Sequence, residues 1–73
     1  MHLLHESTIK NADGTYEITI YFVKEGTSLG PYTYLIPSQK DVEDFGMWCK
    51  KGLKFQGKAL KILRKHRTKL IRK

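Results

Sequence analysis

Apolar and polar residues alternate between Thr15 and Val23, with Tyr16, Ile18, Ile20 and Phe22 on one side and Glu17, Thr19 and Tyr21 on the other. A period of two sends the two sets to opposite faces of a strand. The stretch therefore predicts a strand over 15–23 whose even positions face a core. Upstream, Leu3, Leu4 and Ile9 stand among polar groups and predict a strand over 2–10. The intervening Asn11-Ala12-Asp13-Gly14 is hairpin chemistry. Asn suits the first position of a type I turn, Asp the third, and Gly accepts the positive φ of the bulge that follows. Pairing Asn11 with Thr15 sets Leu4 opposite Phe22 and Thr8 opposite Ile18. A slip of one residue would reverse those faces.

Lys24 to Pro31 reads as a loop, punctuated by Gly26, Gly30 and Pro31. Tyr32, Tyr34 and Ile36 then predict a short third strand over 32–36, bracketed by Pro31 and Pro37. Proline donates nothing to a ladder, so this strand is expected at an edge.

From residue 38 the period lengthens. Ser38 is an N-cap candidate, and Asp41, Glu43 and Asp44 fill the early turns where the helix dipole favours anions. Val42, Phe45 and Cys49 share an apolar face with Trp48 beside it, predicting a helix over 39–51. Gly46 lies inside this helix at a cost of about 1 kcal/mol relative to Ala. Lys50, Lys51 and Gly52 form its expected end. Beyond it, Phe55, Ala59, Ile62, Leu63, His66 and Leu70 follow the ladder of an amphipathic helix, predicted over 55–71. Lys54, Lys58, Lys61, Lys65, Thr68 and Arg72 repeat on a neighbouring stripe. The predicted fold is a single α+β domain over 1–73, a three-stranded antiparallel β-meander followed by two helices packed on it (β-β-β-α-α).

Charge sharpens this picture. All seven acids and only three of the fourteen Lys and Arg lie in residues 1–44, so the remaining eleven cations crowd the last 29 residues. The second helix has no acid of its own for i,i+4 pairing, so its cations repel one another. Such a helix gains by meeting something negative. One cysteine excludes an intramolecular disulfide framework and is compatible with a reducing compartment. The first residues lack the basic and apolar regions of a signal peptide, and no apolar stretch is long enough to span a bilayer. A cytoplasmic location is expected.

No catalytic constellation emerges. The clustered acids are explained by a helix N-terminus. Cys49 sits on an apolar face, where a free thiol behaves as a small hydrophobe. His2, His5, His66 and Cys49 have no metal-ligand spacing, so neither metal nor cofactor is expected. His66 is expected to be a satisfied, half-buried residue, and Trp48 a core anchor ahead of a binding residue. Lys50 to Lys58 has Gly and Lys ahead of a helix but lacks a phosphate-loop signature, because Ala59 follows Lys58. The start of the second helix still offers N–H groups ringed by Lys51, Lys54 and Lys58 for a nucleic-acid phosphate. The strand tyrosines are expected to pack across strands ahead of stacking on bases.

The expected function is a non-enzymatic nucleic-acid-binding protein, with DNA ahead of RNA. Lys50, Lys51, Lys54, Lys58, Lys61, Arg64, Lys65, Arg67 and Lys69 would contact phosphates and release counterions. The alternative is a protein-interaction module, a small inhibitor or adaptor of phage or plasmid type, whose basic helix meets an acidic protein surface. Attraction between the acidic and basic parts of the chain is compatible with a homodimer.

Overall fold

The computed structural model describes residues 2–66 and, as backbone only, 70–72. Strands β1 (His2–Lys10), β2 (Tyr16–Lys24) and β3 (Thr27–Ile36) form the predicted antiparallel meander, and helices α1 (Gln39–Lys51) and α2 (Gln56–Lys65) follow it. A short strand β4 (Leu70–Arg72) pairs antiparallel with β3, giving the order β1-β2-β3-β4.

The first hairpin closes as its residues dictate. Asn11 N–H donates to the Thr15 carbonyl at 2.8 Å, Gly14 N–H donates to the Asn11 carbonyl at 3.1 Å, and Gly14 has φ +89°. Asp13 accepts from the Thr15 amide and hydroxyl, and the hydroxyl bond is first among the effects holding its carboxyl below the ordinary value. The register runs from this turn as expected as far as Thr8 opposite Ile18. It then shifts between His5 and Ser7, so Leu3, not Leu4, faces Phe22. The extra residue at Glu6 makes a bulge, and a bulge exchanges the faces beyond it. Leu3 is consequently buried, while Leu4 is half exposed on the opposite face.

The expected loop over 24–31 is strand over most of its length. Lys24 pairs with Thr27, leaving Glu25 and Gly26 as a two-residue turn with φ of +46° and +80°. Positive φ at both central residues is the mark of a type I′ hairpin, whose twist matches that of its strands. Gly30 and Pro31 fall where the register shifts opposite Tyr21, rather than ending the strand. Gly30 has φ +127°, and a Cβ there would lie 3.1 Å from the Ile20 carbonyl oxygen. The backbone approach itself therefore requires glycine. Over Tyr32–Tyr34, β3 is not an edge, because β4 pairs with it.

The helices lie on the even-residue face of β2. Ile18, Ile20, Ile36, Phe45, Ala59 and Leu63 are fully buried, with Leu3 and Tyr34 nearly so. Tyr16, Phe22, Tyr32, Val42, Trp48, Cys49, Leu60 and Ile62 pack around them. Phe45 is the central anchor from α1, and the His5 ring meets it edge-on at 5.1 Å. On the other face, the hydroxyls of buried Thr19 and Thr33 bond each other at 3.0 Å, which satisfies both.

Helix α1 starts and stops where expected. Ser38 Oγ accepts from the Asp41 amide at 3.3 Å, and Gly52 follows the last turn with φ +118°. Helix α2 stops earlier than expected. His66 donates its N–H to the Leu63 carbonyl at 3.0 Å and leaves the helical conformation, and Leu70–Arg72 is strand. Two effects oppose the longer helix. Adding turns would stack more unpaired cations, and an extended segment covers the ladder groups that β3 would otherwise expose.

Candidate nucleic-acid interface

The break at Gly52 turns the chain through a 3-10 turn, Leu53–Phe55, directly into α2. This corner brings Phe55 against Trp48 of α1. Their ring centroids are 5.6 Å apart with planes inclined by 29°, an offset stack. Trp48 packs against the core, as expected, and its ring also meets Phe55 at the corner. Three lysines gather on the pair. Lys51 Nζ lies 5.9 Å and Lys58 Nζ 5.0 Å from the Trp48 centroid, and Lys54 Nζ lies 5.4 Å from that of Phe55.

Helical spacing explains the convergence. Lys51 is three residues beyond Trp48 on α1, and Lys58 occupies the first turn of α2. The corner folds one helix end onto the other's beginning. All three lysines are exposed. Their ammonium groups are held by ring quadrupoles instead of carboxylates. Among the described residues the ion pairs are Lys40–Asp44 and Lys65–Asp41, with His66 hydrogen-bonded to Asp41 as well, and none reaches the corner. The cluster is therefore not neutralised by direct ion pairing.

The other predicted residues are dispersed. Lys50 lies on the outer side of α1, where it lines a shallow groove with Val42, Glu43, Gly46, Met47 and Lys51. Lys61 and Arg64 are exposed further along α2. Lys65 is not left unpaired, as the lack of acids in its own helix suggested. It approaches Asp41 of α1 at 3.5 Å. Arg67 and Lys69 lie outside the described residues.

Asp41 does more than favour a helix dipole. Its Oδ2 is 2.6 Å from His66 Nε2, with both side chains largely buried. That bond is the main cause holding its carboxyl below the ordinary value, and the Lys65 charge adds to it against the effect of burial. His66 is thus half-buried and satisfied, as expected. Glu43 and Asp44 are engaged within α1, accepting from Gln39 at 3.1 Å and Lys40 at 3.2 Å.

Sequence spacing missed another polar contact across the fold. Gln56, at the start of α2, accepts from the Leu3 amide at 2.8 Å and donates to the Leu3 carbonyl at 2.7 Å. Its amide acts as a short strand beside the outer edge of β1. The signal available was a single amide at a helix start, which is too common to single out.

Burial pushes the Cys49 thiol up, which disfavours the nucleophilic thiolate. Among the described residues no group of His, Cys, Asp and Glu is arranged to hold a metal. None of the described helices is long and apolar enough to cross a membrane. Tyr16, Tyr32 and Tyr34 lie on the helix-covered face of the sheet. Tyr21 is on the other face, where a hydrogen bond to Glu6 is the main cause raising its hydroxyl.

No protein-family model matches the chain, and neither a curated protein nor a solved structure matches it.

Proposed function

We propose that this protein binds nucleic acid without catalysing a reaction on it, and that the α1–α2 corner is its principal contact. The observation that carries this reading is the convergence of Lys51, Lys54 and Lys58 on the Trp48–Phe55 pair, with none of the three in an ion pair among the described residues. Unneutralised ammonium groups attract phosphates and release counterions on contact. Lys50, Lys61 and Arg64 extend the positive surface along both helices. Lys65 contributes less, because Asp41 already offsets its charge. A cytoplasmic location goes with this reading.

The test is the triple variant Lys51→Gln, Lys54→Gln, Lys58→Gln. It should lose about tenfold or more in affinity for labelled oligonucleotides, with an unchanged far-UV circular dichroism spectrum. Retained affinity with an intact fold would overturn the assignment of this corner.

An acidic protein partner is the second reading. One observation favours it: Leu53, which precedes Lys54 in the 3-10 turn, is 68% exposed and would suit an amphipathic acidic segment. A complex captured on the immobilised protein that survives nuclease treatment and moderate salt would favour this reading over the first.

A further inference from the structure

We propose that the α1–α2 corner takes a single strand of nucleic acid, stacking a base on the Trp48–Phe55 pair and holding the adjoining phosphates with Lys51, Lys54 and Lys58. This rests on the nucleic-acid reading above and narrows it to one strand type.

Trp48 and Phe55 are half-buried, and the exposed lysines over them mark where their rings border solvent. An ammonium group keeps part of its hydration when it sits over a ring, so a ring face carrying one is a face that water reaches. Ammonium groups lie within 5.9 Å of the Trp48 centroid and 5.4 Å of the Phe55 centroid. A base arriving on such a face displaces the ammonium, which needs only a side-chain rotation to meet a phosphate beside that base. One set of residues thus supplies both halves of a nucleotide contact: a π-face for any base and a cation for its backbone.

The helix is poorly equipped for the alternative, reading a duplex groove. Duplex readout by a helix pairs Arg or Lys with guanine edges and needs free amides for adenine edges, and the amides are where this surface is short. Gln56, the amide nearest the corner, already engages both its carbonyl oxygen and its nitrogen on Leu3. Gln39 is bonded to Glu43, and Asn11 to Thr15. The exposed residues of α2 are Gly57, Lys58, Lys61, Arg64 and Lys65, mostly cations with flexible stems. A site built this way binds phosphates and stacks bases with little preference among sequences.

Trp48 is the only tryptophan, so its emission reports the stacking directly. The experiment titrates the whole protein with oligothymidylate of about 15 nucleotides, a duplex of equal length, and inorganic polyphosphate, following Trp48 fluorescence and the anisotropy of labelled oligonucleotides. The expected result is quenching by the single strand, affinity about tenfold above that for the duplex, and binding of polyphosphate without comparable quenching. Equal affinity for the two strand types, or single-strand binding that leaves Trp48 emission unchanged, would overturn the inference while leaving nucleic-acid binding intact. Absence of binding to either oligonucleotide at low salt would overturn both. Phe55→Leu keeps the reporter and should weaken single-strand binding about fivefold or more, while polyphosphate binding holds.

Discussion

The Asp41 carboxylate and the His66 imidazole meet at 2.6 Å, joining the first turn of α1 to the residue that ends α2. This bond and the Trp48–Phe55 stack hold opposite ends of the helical pair. The clasp fixes where α2 stops, and the stack fixes where it begins. Together they set the angle at which the lysines are presented.

Asp41→Asn should destabilise the fold by about 1–3 kcal/mol, the range for a hydrogen bond to a charged group in a half-buried setting. The pH dependence has a definite sign. The folded Asp41 carboxyl titrates below its ordinary value of 3.8, so its contribution is complete above pH 3.8 and is lost as pH falls through the lower folded value. Urea unfolding of the protein and the variant between pH 7 and about pH 2 should show the gap narrowing only at the acidic end. A gap that is constant throughout would contradict the clasp.

Gln56→Leu leaves the Leu3 amide and carbonyl without their partner. It should cost about 1–2 kcal/mol and speed hydrogen exchange at Leu3, with little change at the β2–β3 hairpin. Uniform acceleration across the sheet would show that Gln56 supports the whole fold and not one edge.

Gly46→Ala should stabilise the protein. A Cβ at this helical position meets nothing within 4 Å, so alanine adds helix propensity without a clash. The gain should be about 1 kcal/mol, seen as a rise of about 4–8 °C in Tm by calorimetry. A fall in Tm would mean that the open face of α1 is occupied in solution.

The α+β plan was legible because local chemistry and long-range packing agree over most of the chain. The alternation of Tyr16 to Phe22, the Asn11–Gly14 turn, the Ser38 cap and the Gly52 stop all act within a few residues, and each sits where its chemistry requires. Departures arose where one residue changes the consequence of its neighbours. The bulge at Glu6 reverses the faces of Leu3 and Leu4, although the turn set the rest of the register. Glu25-Gly26 makes the two-residue turn, and Gly30-Pro31 is absorbed within β3 despite its loop-like composition. Leu70 fits the helical ladder of Ala59 and Leu63, yet its backbone pairs with Tyr34. Period alone does not register that a sheet edge competes for the segment.

At the candidate interface, the ring of Lys51, Lys54 and Lys58 was legible from charge and the expected helix start. The aromatic pair at its centre was not, because Trp48 and Phe55 lie on different helical segments and meet only through the turn after Gly52. The pairing of Lys65 was hidden for the same reason, since its acid is on the other helix.

The most direct test of the central claim is the salt dependence of binding, measured by fluorescence anisotropy with labelled single-stranded and duplex oligonucleotides. Nucleic-acid binding through this corner predicts a linear fall of log K with log salt, with a slope of about −2 or steeper for at least three phosphates engaged. No binding at about 50 mM salt, or binding insensitive to salt, would contradict it, because an unneutralised lysine cluster must at least attract a polyanion there.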